Sequence, residues 1–305
     1  DFLRGRRYSM TMIADACLDE CREFLRAERG LSPATIITYS YHAKAYLAFL
    51  KDAGCAAADA TPYHVAAHIG GLRERGLRSA PVFCAIVAIK TFHRFLLAKG
   101  HAAHDPTAGL KSPKIVSRVS EPLSVDEVER LFAAVPEHGF AHIRDRAILA
   151  ILYGCGLRVG EALGLDAGQI HMDEGYVRVR GKGSRERLVP VGPKAAEALQ
   201  RYLAARRDRF GEISGALFLS RSGTRLKKGG YGQRLKRYAD RAGITKRVHP
   251  HILRHCFSVH LLSGGANVRA LQLLLGHASL ATTQKYLNLD WTALRETCLR
   301  AHPRF

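Results

Sequence analysis

The chain is short of acidic residues: 27 Asp and Glu stand against 47 Lys and Arg in 305 residues, a formal net charge of +20. No single low-complexity tail carries the excess, so the balance points to a polyanionic partner, with nucleic acid ahead of a membrane surface. A C-x-x-C pair is also missing. The seven cysteines (Cys17, Cys21, Cys55, Cys84, Cys155, Cys256 and Cys298) are odd in number and sit mostly inside apolar periodic stretches. That excludes a disulfide framework and reads as reduced, buried thiols in a cytosolic protein. Fifteen histidines supply no metal site, because no Cys/His group has ligand spacing. Apolar runs such as "AILAILY" (147–153) fall far below the roughly 20 residues that span a bilayer. "DFLRGRRYSM" lacks an apolar signal core. A soluble protein that is not exported and has no membrane partner is expected. The first residue is Asp rather than Met, which leaves the native start open.

What is there is mostly helical punctuation. After a first segment over about 11–29, "LSPATIITYSYHAKAYLAFLKDAG" places Ser32 as N-cap, Pro33 at the first helical position and Gly54 beyond the end. "TPYHVAAHIGGLRERG" repeats the Thr-Pro start, and "SAPVFCAIVAIKTFHRFLLAKG" aligns Val82, Ile86, Ile89, Phe92 and Leu96 on one stripe before Gly100. Residues 101–122 carry three prolines and little periodicity, which predicts an interdomain linker, narrowed to 111–122 between domains 1–110 and 123–305. The second domain opens on a capping box, Ser124 with Glu127, ahead of Val128, Leu131, Phe132 and Val135. A helix through "RDRAILAILYGCG" follows. "GYVRVRGKGSRERLVPV" alternates on both sides of a Gly-Lys-Gly-Ser turn, a β-hairpin with Lys182 at its tip. From Lys194 the pattern is again helical, so the chain is mainly α, with one small antiparallel sheet and no internal repeat.

Between Arg221 and Cys256 eleven Lys and Arg accompany one acidic residue, Asp240. Within this stretch "HPHILRH" starts a helix at Pro250, so His251 and Arg254 at i and i+3 can face one anion together. By itself H-x-x-R reads as a structural histidine beside a surface arginine. In "YGCGLRVGEALGL", Arg158 follows a Gly-x-Gly interruption, with Glu161 at i+3 able to hold its guanidinium. The plain reading is a surface ion pair, but glycines there let backbone or phosphate approach closely. Lys182 is flanked by Arg178, Arg180, Arg185 and Arg187, and a ribbon with a cationic tip suits a DNA groove. In "LLLGHASLATTQKY" a helix with Leu271, Leu274 and Leu275 buried stops at Gly276. His277 takes an exposed corner, and Ser279 caps a helix bearing Thr282, Thr283 and Tyr286. A tyrosine there ordinarily packs. The conjunction points elsewhere: two arginines, a lysine, two histidines and a tyrosine are what metal-free phosphoryl transfer needs. Guanidiniums clamp the non-bridging oxygens as charge grows, a phenol of pKa near 10 needs a cationic pocket and a base, and a leaving 5′-oxygen needs a proton. Nuclease chemistry on carboxylate-bound ions fits poorly with so little Asp and Glu in the region.

"GLRVGEALGL", "VRVRGKGSRERLVPVG", "HPHILRHCFSVHLL" and "LLLGHASLATTQKY", in that order, resemble the tyrosine recombinases of the phage-integrase family, most closely the Xer type. "LSPATIITY", "DPTAGLKSPK" and the ending "AHPRF" carry the resemblance over nearly the whole chain. Where many Xer relatives have Thr-His after the tyrosine, this chain has Leu287-Asn288.

The resemblance implies six catalytic residues, Arg158, Lys182, His251, Arg254, His277 and the nucleophile Tyr286, with Glu161 in support. It implies a SAM-like N-terminal core-binding domain of four to five helices, a helix-rich integrase-type catalytic domain, and a tail at about 291–305 that docks on a neighbouring protomer. Lys44, Arg78, Lys90, Arg94, Arg180 and Arg185 become candidate DNA contacts. The partner is double-stranded DNA with a specific site, bound by a homotetramer or by a heterotetramer with a second recombinase. A DNA translocase is the candidate activator, and the setting is the bacterial cytoplasm and nucleoid. Because a 3′-phosphotyrosine stores the bond energy through a Holliday junction, no cofactor, metal or ATP is expected. A mobile-element integrase shares the chemistry but often carries an arm-binding domain, for which few residues precede Ala14. A type IB topoisomerase would act as a monomer, and a non-catalytic DNA-binding protein would show salt-sensitive binding alone.

Overall fold

Ser32 begins the second helix as the sequence predicts, its hydroxyl accepting the Thr35 N–H at 3.3 Å. In a computed structural model of the chain, residues 10–111, 121–181, 186–212, 215–276 and 291–305 are described. They divide into two units, residues 1–118 and 119–305. The first contains α1 (Met10–Ala27), α2 (Pro33–Asp52), α3 (Pro62–Glu74) and α4 (Ser79–Ala98). Val82, Ile86, Ile89, Phe92 and Leu96 of α4 are all buried, facing Tyr46 and Leu50 of α2 and Leu18 and Leu25 of α1. By length and composition α4 could cross a bilayer, which a search for unbroken apolar runs overlooks, but its stripe is spent on this core.

Residues 101–110 pack on the first unit. Thr107 is fully buried, Leu110 packs on the core, and its carbonyl accepts from Lys90 Nζ at 2.6 Å. Lys90 is therefore tied inside its own unit, whereas Lys44, Arg78 and Arg94 are exposed.

The second unit is built on α6 (Phe140–Gly154), buried continuously from Ala147 to Gly154. Around it lie α5 (Val125–Ala133), α7 (Val159–Gly164), α8 (Pro193–Phe210), α9 (Lys228–Arg241), α10 (Pro250–Ser263), α11 (Val268–Leu275) and α12 (Trp291–Ala301). The capping box forms: Ser124 N–H donates to Glu127 at 2.7 Å and Glu127 N–H to the Ser124 hydroxyl at 3.1 Å. The hairpin is β2 (Tyr176–Arg180) with β3 (Glu186–Pro190), and a short β1 (Ile170–His171) adds an edge that the sequence pattern did not reveal. The sheet is antiparallel in the order β1-β2-β3, with Val177 opposite Val189 and Val179 opposite Arg187.

α12 lies against α10 and β3 of its own unit. Cys298, Ala301 and His302 are buried, the Arg304 guanidinium sits 3.8 Å above the Phe132 ring, and it pairs with Glu129. A side chain at Gly192 would meet Phe305 Cα at 2.7 Å, so the last residue closes on a position where only glycine leaves room.

Candidate active site

The turn after α6 fixes the first arginine. Gly156 has φ +61°, and a Cβ there would run into the Phe257 ring of α10. The close approach anticipated at this glycine is thus with a packed ring. It lets the Gly156 carbonyl accept from Arg254 Nη1 at 2.7 Å. Two residues on, Arg158 caps α7, and its backbone N–H donates to Glu161 Oε2 at 2.9 Å while its Nη1 donates to Oε1 at 2.9 Å.

Glu161 is the hub of the site. Arg187 of β3 grips it with both ends of its fork, Nη1 to Oε1 at 3.2 Å and Nη2 to Oε2 at 2.9 Å. Arg254 Nη1 lies 3.6 Å from Oε2. Burial alone would raise the Glu161 pKa, but hydrogen bonds from Arg187 and from the Arg158 backbone outweigh it and hold the group below the ordinary carboxylate value. Arg254 is 8% exposed. Burial, then the Arg158 charge, bring its pKa down to about 10, with Glu161 opposing, so it stays protonated at neutral pH. Three guanidiniums against one carboxylate leave an excess of positive charge. Only Arg158, with 44% of its side chain exposed, opens substantially to solvent. A bound anion would relieve that excess, and a phosphodiester presents two non-bridging oxygens to the fork geometry of arginine.

His251 is exposed at the start of α10. The preceding His249 caps that helix: its Nδ1 accepts the Ile252 N–H at 3.2 Å, which requires an unprotonated nitrogen. Burial, then Arg247 and His251, hold the His249 pKa down. Lys182, Arg185, His277 and Tyr286 lie outside the described residues, so the structure brings together Arg158, Glu161 and Arg254 from the predicted set. Arg180 is exposed and pairs with Glu186 at 3.3 Å.

The sequence analysis places Arg187 on the cationic hairpin ribbon and not beside Glu161, and it assigns no role to His249. A signal for Arg187 was present: counting back through the hairpin puts it opposite Val179 on the buried face, while Leu188 points outward and is 43% exposed. The basic stretch from Arg221 to Arg254 also divides. Arg225 is bound to the Leu163 and Leu165 carbonyls, Arg234 to the buried Asp145 at 2.6 Å, and Lys246 to Glu121 and Glu127, each at 2.9 Å. Lys228, Lys236, Arg237 and Arg241 remain exposed along α9. Both Glu161 oxygens are taken by arginines, and among the described residues no group of three His, Cys, Asp or Glu is placed to hold a metal ion.

Residues 121–292 match the phage integrase family, and residues 18–100 match the phage integrase N-terminal SAM-like domain. The tyrosine recombinase XerD of Bifidobacterium longum is 40% identical over 288 residues, covering 91% of this chain and 94% of that protein. The tyrosine recombinase XerC of Escherichia coli O157:H7 is 35% identical over 287 residues, covering 92% and 94%. Among solved structures, the XerH site-specific recombinase bound to palindromic difH substrate, a post-cleavage complex, superposes with a TM-score of 0.69 at 20% identity, covering 93% of this chain and 83% of that one. At that identity the superposition speaks to the fold.

Proposed function

The chain belongs to the phage integrase family as an Xer-type tyrosine recombinase, an enzyme class that cuts and rejoins DNA, and from that premise we propose how its own residues divide the reaction. Arg158 and Arg254 take the non-bridging oxygens of the scissile phosphodiester, with Glu161 holding both in place. The Tyr286 oxygen attacks phosphorus and its proton passes to a nearby base, with His251 and His277 completing the cationic pocket. The bond to the 5′-oxygen breaks as Lys182 protonates it. The product is a 3′-phosphotyrosine and a free 5′-hydroxyl. Attack by a partner strand's 5′-hydroxyl expels the phenolate and restores a phosphodiester, so bond energy is conserved and no cofactor is consumed. The observation that carries this reading is the excess positive charge gathered on Glu161 from three separate elements, with Arg158 open to solvent.

The same reading places four protomers, of one or two kinds, on two copies of a specific DNA site in the bacterial nucleoid, with exchange through a Holliday junction. A DNA translocase is the activator it implies. The domains are those of residues 1–110 and 123–305, and the exposed Lys44, Arg78 and Arg94 are DNA contacts of the first. The terminal segment, seated on its own unit in a single chain, transfers to a neighbour on assembly. The test is a nicked suicide duplex in EDTA: wild type should form a denaturant-stable protein–DNA adduct, and Tyr286→Phe none. Equal yields from both proteins would remove Tyr286 from the chemistry.

A further inference from the structure

Arg187 has no part in the reaction as just divided, yet its contacts join three segments of the site. Helix α11 ends, like every helix, with carbonyls that have no partner inside it. The Gly276 N–H turns back to the Gln272 and Leu273 carbonyls. The last two are met by guanidiniums: Arg187 Nε donates to the Leu274 carbonyl at 2.9 Å and Arg254 Nη2 to the Leu275 carbonyl at 2.7 Å. Both arginines converge on Glu161. Two cations at the negative end of a helix dipole are favourable there, but packing alone does not account for Arg187. Placing a third guanidinium beside two others costs repulsion, and an apolar side chain would fill the space opposite Val179 without it. Gly276 is shaped to the contact. With φ +63° it takes the left-handed conformation, and a Cβ would lie 3.0 Å from Arg187 Cδ.

We propose that Arg187 is a positioning residue of strand cleavage, a strut that fixes the carboxyl end of α11 to the carboxylate orienting the phosphate-binding arginines. The chain leaving that helix end runs on to His277 and Tyr286, so the strut sets the origin of the nucleophile's segment relative to the phosphate. With only 13% of its side chain exposed and its fork closed on Glu161, Arg187 acts through these groups rather than on DNA. The inference rests on the recombinase reading above.

The test uses the full chain and nicked duplexes selected from a randomised pool by covalent capture on wild type. DNA affinity, the single-turnover rate of adduct formation at saturating duplex, and thermal unfolding are measured for Arg187→Ala, Arg187→Lys, Gly276→Ala and the Arg187→Ala/Gly276→Ala double variant. Affinity should stay within about threefold of wild type while the rate falls about 10²-fold in Arg187→Ala, the scale of a misplacement near 1 Å. Arg187→Lys should still lose about tenfold, because a point charge cannot span Glu161 and the Leu274 carbonyl together. Gly276→Ala should slow wild type about tenfold and the Arg187→Ala background by less, since losing Arg187 relieves the collision while the strain of the positive φ remains. A folded Arg187→Ala that cleaves at the wild-type rate, a loss confined to affinity, or rate effects that multiply in the double variant would each overturn the proposal. Should Arg187→Ala fail to fold, the rates of Arg187→Lys and Gly276→Ala decide in the same way. If wild type captures no duplex at all, the recombinase reading itself fails, a result reached before any substitution is made.

Discussion

Replacing Glu161 by Gln probes the hub without changing its size. Oε1 accepts from Arg158 Nη1 at 2.9 Å and Arg187 Nη1 at 3.2 Å, and Oε2 accepts from the Arg158 N–H and Arg187 Nη2, both at 2.9 Å. Glutamine keeps one oxygen and turns the other into a donor facing guanidiniums, so two of these four bonds are lost in either orientation. Charge-assisted bonds contribute about 1.5–3 kcal/mol each. Solvent screens the half-exposed Arg158 side chain, which discounts its share, and about 3 kcal/mol is the expected loss, near the lower end for breaking a buried pair. In a unit of this size that lowers the melting temperature by about 6–12 °C. Calorimetry of the full chain, following the transition of residues 119–305, reads the shift. The variant also leaves three guanidiniums uncompensated, so inorganic sulfate should raise its melting temperature more than that of wild type. A shift under about 2 °C, or equal gains from sulfate, would refute the reasoning, since either means that the carboxylate does not neutralise the cluster.

Three other perturbations test separate parts of the account. His68 and His93 have pKa values drawn down to about 4, and His302 to about 3, chiefly by burial, so each is neutral in the fold and must gain a proton as acid is added. Their stabilisation is complete above the unfolded histidine value near 6.5 and is lost as pH falls below it; denaturation measured from pH 8 to pH 5 should show stability already declining at pH about 6, whereas a flat profile would contradict neutral burial. Gly156→Ala combines a positive φ with a collision at Phe257, and should cost about 3 kcal/mol or more by urea titration; a loss under about 1 kcal/mol would mean that the turn is not built as described. Lys182→Ala should cleave poorly on a normal duplex but recover when sulfur replaces the leaving 5′-oxygen, because a thiolate departs unprotonated; absence of rescue would assign the general acid elsewhere.

Local signals survived the passage from sequence to structure because their causes lie within a few residues. Ser32 with Pro33, the Ser124–Glu127 box and the left-handed stop at Gly276 each act inside one turn of chain. Arg158 and Glu161 were legible as a pair because they are neighbours on one short helix. Arg187 was not legible as a partner of that pair: it reaches Glu161 across 26 residues and the Leu274 carbonyl across 87, and only the hairpin register foreshadowed its inward phase. His249 stands just before a helix-starting proline, and its capping role depends on a ring nitrogen that composition does not announce. The basic stretch divides for a reason that is also long-range. Asp145, buried in α6, claims Arg234 at 2.6 Å and Tyr238 at 3.0 Å, and anchors α9 from within.

The most direct measurement identifies the atom that becomes bonded to phosphorus. Wild-type adduct trapped on a nicked duplex would be digested with nuclease and protease, and the nucleotide-bearing peptide sequenced by mass spectrometry. The account predicts a nucleotide remnant on the phenol oxygen of Tyr286, formed in the presence of EDTA and absent after Arg254→Ala. A remnant on any other side chain, or undiminished adduct from the Arg254 variant, would contradict it.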